Sequence, residues 1–236
     1  VKEAAGVSSP RPYDAAVILA GGESRRMLSE KALLEAGGRT LVERAAALFA
    51  PRVRRILVSV GRRGPSSGLA SALDRAARDA GVPVNAVADE HDAAGPLAGA
   101  AAALTALEGR AARTFVLAVD MPDVPWLVLE ALWEGAAEAG ARGCVPQWAC
   151  GLEPACGVYA VGLSADARRL LEAGERSLTA LARAPGVRSL DLERPEVAQK
   201  LLGGAPPDWA AIFRSLNTPE DYRAWLAAQE GRVTGP

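Results

Sequence analysis

Two kinds of apolar pattern take turns along the first 140 residues. Short, nearly continuous apolar runs occupy residues 15–20 (AAVILA), 55–60 (RILVSV), 82–87 (VPVNAV) and 114–119 (TFVLAV). Between them, at 40–49, 68–80, 96–107 and 125–139, apolar residues recur at helical spacing. The runs are short and do not alternate with polar residues, so they predict strands buried on both faces. The intervening segments predict helices. Thr40 suits a helix N-cap, Pro96 suits a first helical turn, and Pro83 puts the start of its strand at an edge or an end. Strand and helix in repeated succession predict an α/β fold of three layers, a mostly parallel sheet with helices on both faces.

Beyond residue 140 the pattern is more mixed. Residues 143–146 and 156–161 predict strands suited to antiparallel pairing. Residues 165–173 and 178–184 predict helices, 187–190 a short strand and 219–228 a closing helix, with a Gly/Pro loop near 203–207. The polar stretch 1–13, with Pro10 and Pro12, predicts a loose N-terminal tail. Residues 14–229 then form one domain, and 230–236 a C-terminal tail.

Charge and composition narrow the function. The net charge of −1 over 236 residues lacks the basic surplus of a nucleic-acid binder. Any phosphate recognition must be local, which points to a small polyphosphate and not to a duplex. There is no apolar run of bilayer-spanning length and no signal-peptide core, so the expected setting is the cytoplasm, away from membranes. Cys144, Cys150 and Cys156 are odd in number and evenly, widely spaced, unlike zinc-site pairs, and are expected to be reduced. Trp126, Trp133, Trp148, Trp209 and Trp225 are expected to pack in the interior. Arginine dominates the cations: the only lysines are Lys2, Lys31 and Lys200. A rare residue kept against such a bias hints at chemistry that is hard to replace.

In an open parallel sheet, ligands gather at the carboxyl ends of the strands. Gly21-Gly22, Ser59, Asp89 and Asp120 follow the four predicted strands. The first loop, LAGGESRRMLSEK at 19–31, joins two glycines to Arg25, Arg26 and Lys31. Glycines let backbone N–H groups approach an anion, and the clustered cations repel one another unless an anion lies between them. The Walker pattern GxxxxGK[ST] and the dinucleotide pattern GxGxxG are both absent, which lowers the standing of a P-loop kinase, a GTPase switch and a dehydrogenase. Asp120, placed after a wholly apolar strand, suits a metal-bound triphosphate, although a helix cap would use the same residue type. The lone His91 is expected in a polar loop, and Glu90 and Asp92 in a solvated turn.

The stretch LAGGESRRMLSEKALL resembles the signature of the molybdenum cofactor guanylyltransferases, in the MobA-like nucleotidyltransferase family. Further blocks follow in the family's order: GPLAG at 95–99, VDMP at 119–122, EPACGVY at 153–159, GERSL at 174–178 and LNTPED at 216–221. The resemblance implies a Rossmann-like nucleotidyltransferase that moves GMP from GTP to molybdopterin with Mg²⁺, releasing pyrophosphate. It implies that Leu19, Ala20, Gly21 and Gly22 contact the nucleotide, that Arg25 and Lys31 grip its phosphates, and that Ser59 and Asp89 lie near the nucleotide and its base. Asp120 would bind Mg²⁺, Arg25, Lys31 and Asp120 would be catalytic, and Asn217 would face the acceptor. The family also implies transient contact with molybdenum-insertion proteins or apo-molybdoenzymes. The chain departs from the family pattern at Leu28, where glycine is usual, and at Glu30, Ser59, Ala155 and Ser215. Two other readings stay open: a cytidylyl- or other nucleotidyltransferase acting on a pterin, sugar or alcohol phosphate, and a non-catalytic nucleotide-binding module.

Overall fold

The structure, a computed structural model, describes residues 11–21, 30–89, 95–202 and 207–233. In chain order its strands are β1 (Ala16–Leu19), β2 (Glu35–Ala36), β3 (Arg39–Thr40), β4 (Ile56–Ser59), β5 (Val84–Val87), β6 (Arg113–Ala118), β7 (Gly143–Trp148), β8 (Gly151–Leu152), β9 (Cys156–Ala160) and β10 (Val187–Asp191). The α-helices are α1 (Leu41–Phe49), α2 (Ser67–Ala80), α3 (Pro96–Ala106), α4 (Trp126–Ala137), α5 (Ser164–Glu172), α6 (Leu178–Ala182), α7 (Pro195–Leu202), α8 (Trp209–Ile212) and α9 (Pro219–Val233).

The main sheet runs β10-β7-β9-β6-β1-β4-β5, with β8 beside β7. β5, β4, β1 and β6 are mutually parallel, and β10 is parallel to β7. β9 runs antiparallel between β6 and β7. The expected α/β architecture is therefore present, and the two strands after residue 140 do pair antiparallel.

Each buried strand serves two cores. Ala16 and Ile18 join the cluster containing Leu41, Phe49, Phe115 and Trp225, whereas Val17 and Leu19 join the one containing Leu97, Leu104, Val116 and Tyr159. Successive strand residues point to opposite faces, so a strand covered on both sides must be apolar throughout. α3 is apolar around nearly its whole circumference because it is sandwiched, with Ala98, Ala100, Ala101 and Ala103 all buried.

Local signals act where the sequence places them. Thr40 caps α1 in a reciprocal box: its hydroxyl accepts from the Glu43 N–H, and the Glu43 carboxylate accepts from the Thr40 N–H. α2 ends on Gly81 in the left-handed region, at φ 59°. β5 is an edge strand, as Pro83 suggests, and begins at Val84.

Several elements differ from expectation. The β2–β3 hairpin and the helices α7 and α8 were not predicted; two-residue strands and a four-residue helix are too short to show a period. α9 extends to Val233, so residues 230–233 are helical and not tail. The expected loose segment 1–13 is ordered at its end. The Arg11 guanidinium donates to the Ala50 carbonyl, Tyr13 bridges to Val53, and the Tyr13 ring packs on Phe115, Trp126 and Trp133. All five tryptophans pack in or against a core, Cys144 and Cys156 are buried, and Cys150 is exposed. Among the described residues no helix is long and apolar enough to cross a membrane.

Candidate active site

Strand register assembles the site. Leu19 pairs with both Ala118 and Ser59, and Ser59 pairs with Val87. Gly21, Asp120 and Asp89 each lie two residues beyond that row, so three separate strands deliver them to one edge. Chain connectivity reverses between β1 and β6: α1 and α2 pack in one core, whereas α3, which leads into β6, packs in the other. Such a switch point opens a crevice at the carboxyl ends of the strands.

The bend after β1 is held by backbone bonds. Ala20 N–H donates to the Ser59 carbonyl at 2.9 Å, and the Leu19 carbonyl accepts from Val119 N–H at 3.0 Å. Gly21 needs the space of a missing side chain, since a Cβ there would stand 2.6 Å from the Gly61 nitrogen. Gly22, Arg25, Arg26, Leu28 and His91 lie outside the described residues.

Lys31 is the hub. Its Nζ donates to Asp120 Oδ2 at 2.6 Å and to Asn217 Oδ1 at 2.7 Å. The Lys31 and Asp120 side chains are only 18% and 16% exposed. An ammonium has three donors, so one remains for a ligand. Asn217 is brought there by its own segment: Leu216 N–H donates to the Asp120 carbonyl at 3.0 Å. Thr218 and Asp221 then cap α9 reciprocally, the carboxylate of Asp221 also accepting the Asn217 N–H at 3.1 Å. These hydrogen bonds, that to Thr218 foremost, hold Asp221 below the usual carboxylate range. Asp123 fixes the other side of α9, accepting from Trp225 Nε1 at 2.9 Å and Gln229 Nε2 at 3.0 Å.

A second constellation sits two and three strands away. Ser59, almost fully buried, donates its hydroxyl to Asp89 Oδ1 at 3.3 Å. α3 passes so close that a Cβ on Gly99 would meet the Ser59 Oγ at 2.2 Å and Asp89 Oδ1 at 3.6 Å. Glycine at this helical position is therefore a packing requirement. Burial pushes the Asp89 carboxyl above its ordinary value, and the Ser59 hydrogen bond opposes the shift.

Glu153, at the turn entering β9, stands in the sequence within EPACGVY, where nothing local marks it as a site residue. Burial lifts its carboxyl to about 7; the Ala155 N–H opposes the rise, and the negative charge of Asp120 adds to it.

Of the residues singled out in the sequence, Leu19, Ala20, Gly21, Lys31, Ser59, Asp89, Asp120 and Asn217 share this edge. Among the described residues no group of three or more His, Cys, Asp or Glu side chains could hold a metal ion. Mg²⁺ does not need such a cage, because it commonly takes one or two carboxylates together with substrate phosphates and water. Asp120 suits that use, and the Lys31 ammonium on its Oδ2 stands where a cation is wanted.

A switch-point crevice carrying a glycine bend, a cation and a carboxylate defines an α/β protein built around nucleotide phosphates. The model of the MobA-like NTP transferase domain matches residues 16–188. A probable molybdenum cofactor guanylyltransferase of Opitutus terrae is 38% identical over 168 residues, covering 70% of this chain and 75% of its own. A molybdenum cofactor guanylyltransferase of Cereibacter sphaeroides is 35% identical over 213 residues, covering 87% and 91%. The crystal structure of molybdopterin-guanine dinucleotide biosynthesis protein A from Archaeoglobus fulgidus has the same fold, with a TM-score of 0.71 at 22% identity over 92% of this chain and 99% of that one. The chain belongs to the MobA-like NTP transferase family.

Proposed function

We infer that this protein transfers GMP from GTP to the terminal phosphate of molybdopterin, forming the guanine dinucleotide and releasing pyrophosphate. The observation that carries this reading is the Lys31 ammonium shared between Asp120 and Asn217 at the sheet edge, which supports a cation and a carboxylate for the triphosphate next to an amide for the acceptor. The relatives' names supply the identity of the two substrates.

In the transfer, an acceptor phosphate oxygen forms a bond to the α-phosphorus. The bond from that phosphorus to the α–β bridging oxygen breaks, and pyrophosphate leaves with the electron pair. The nucleophile is already ionised near neutral pH, so no strong general base is required. Lys31 places its positive charge where charge builds on the phosphate oxygens, and Arg25 serves the same purpose from the glycine loop. Asp120 would hold Mg²⁺, which would supply positive charge against that of the phosphates. The Gly21 backbone, at the bend after β1, lies beside the phosphates, while the Ala20 N–H is taken by the Ser59 carbonyl. Ser59 and Asp89 face the base, where a carboxylate matches the N–H donors on a guanine edge.

The test is pyrophosphate release by the purified chain with Mg²⁺, molybdopterin carrying molybdenum, and one NTP at a time. GTP is expected to support release, and calorimetry is expected to show tighter binding of GTP than of CTP. Release with CTP in preference to GTP would move the protein to the cytidylyltransferases. No release with any NTP would overturn the reading.

A further inference from the structure

The functional residues lie along the sheet edge in a definite order. Asp89 follows β5, Ser59 ends β4, Gly21 follows β1, Asp120 follows β6, and Glu153 precedes β9, with these strands adjacent in that sequence. Neighbouring strands are about 4.8 Å apart, so Asp89 and Asp120 are separated by roughly three strand spacings, and Glu153 lies one spacing beyond Asp120 on the other side. With the base at Ser59–Asp89 and the phosphates at Gly21, Lys31 and Asp120, the nucleotide fills one half of the edge. Glu153 is a charged group in the half left for the acceptor.

The turn that carries it is tightly fixed. Glu153 N–H donates to the Pro146 carbonyl at 2.9 Å, and its own carbonyl accepts from Cys156 N–H at 3.2 Å. The Ala155 carbonyl accepts from Ala118 N–H at 2.8 Å, and the Tyr159 hydroxyl donates to the Pro154 carbonyl at 2.7 Å. Burial raises the proton affinity of its carboxylate, the Ala155 N–H acts against that rise, and the charge of Asp120, of its own sign, adds to it. A half-buried carboxylate beside a second one is costly unless a ligand brings donors or a cation to it. Two such ligands exist in this reaction: a divalent ion, or the N–H donors of the acceptor heterocycle. Position favours the second. Asp120 is already matched by Lys31, which reaches it from the chain segment after β1, whereas Glu153 enters from the β9 side.

We propose that Glu153 is a specificity-determining residue for the acceptor, its carboxylate receiving the adjacent ring N–H and amino donors of a pterin. This rests on the transfer reaction proposed above. A carboxylate has about four lone-pair sites, so one backbone N–H leaves both oxygens able to accept in a bidentate fashion. A rigid turn suits recognition of a planar, rigid edge.

The experiment is steady-state kinetics of the full chain with GTP, Mg²⁺ and molybdopterin, comparing wild type with Glu153→Gln and Glu153→Asp. Mn²⁺ binding to the GTP complex is followed in parallel by electron paramagnetic resonance. Glutamine keeps the shape but offers one amide oxygen and an NH₂ that cannot accept. We expect Glu153→Gln to raise the KM for molybdopterin by about tenfold or more, the loss of one charge-assisted hydrogen bond. The KM for GTP and the Mn²⁺ affinity stay within about twofold on the same reasoning, and Glu153→Asp retains part of the acceptor affinity. A wild-type KM for molybdopterin in Glu153→Gln would overturn the proposal while leaving the transfer reaction standing. Weakened Mn²⁺ binding with an unchanged acceptor KM would overturn it in favour of a second metal carboxylate. Absence of turnover in the wild type with every NTP would remove both readings together.

Discussion

Lys31 Nζ lies 2.7 Å from Asn217 Oδ1 although 186 residues separate them. The same nitrogen holds Asp120, so one ammonium ties the carboxylate to the amide. A triphosphate that draws Lys31 toward itself releases Asn217 toward the acceptor. Nucleotide binding is therefore expected to precede acceptor binding. Product-inhibition patterns and calorimetry with molybdopterin, run with and without a non-hydrolysable GTP analogue, check the order. Equal acceptor affinity in both states would contradict it.

Substitution of the hub has a plain consequence. Lys31→Ala and Asp120→Ala are each expected to lower kcat by about two to three orders of magnitude, the usual loss on removing a charge that stabilises the transition state. Circular dichroism is expected to be unchanged, because both side chains lie at the sheet edge and outside the cores. Either variant retaining near wild-type turnover would refute the assignment.

Gly99 predicts a different phenotype. Alanine there drives a methyl group against Ser59 Oγ, so α3 or β4 must shift, at about 1–3 kcal/mol for overpacking. The Ser59–Asp89 contact is expected to open, raising the KM for GTP more than that for the acceptor. Thermal melts together with separate KM values test both halves of this expectation.

Stability is expected to carry the signature of Glu153. Its carboxyl lies at about 7 in the folded protein against 4.5 in the unfolded chain. The folded state then binds the proton more tightly, so the stabilisation present below about 4.5 fades as pH rises toward about 7. Glu153→Gln removes a half-buried charge and is expected to stabilise the metal-free protein by roughly 1–2 kcal/mol at pH 8, after allowance for solvent screening, with little effect at pH 4.5. Denaturant unfolding at the two pH values in the presence of a chelator measures this difference. An equal shift at both would contradict it.

The foot of α9 offers a fifth check. Thr218→Ala removes the hydroxyl that accepts from Asp221 N–H and is expected to destabilise the protein by about 1 kcal/mol. Because the same turn positions Asn217, the KM for the acceptor is expected to rise while that for GTP holds.

Legibility differed along the chain for physical reasons. The four parallel strands were readable because burial on two faces demands unbroken apolar runs, and the residues just past them were readable because register carries them to one edge. Thr40 and Pro96 marked helix starts by local chemistry that operates without tertiary help. The β2–β3 hairpin and α8 were hidden, since elements of two to four residues have no period to detect. Tyr13 reads locally as tail, yet its ring packs on Phe115, a contact 102 positions away that nothing local announces. Glu153 is silent in the sequence, because its interest comes from β9 running backwards beside β6, a pairing that brings the start of one strand to the end of another.

That reversal gives the molecule a seam. Gly21, Ser59, Asp89 and Asp120 lie at the ends of strands running one way, while the corner from Trp148 to Cys156 arrives from the opposite direction and is stitched to its neighbours by main-chain bonds. A lineage could recast this corner, lengthening it or changing its charge, and redirect the nucleotidyl group to a new recipient without disturbing the machinery that activates it.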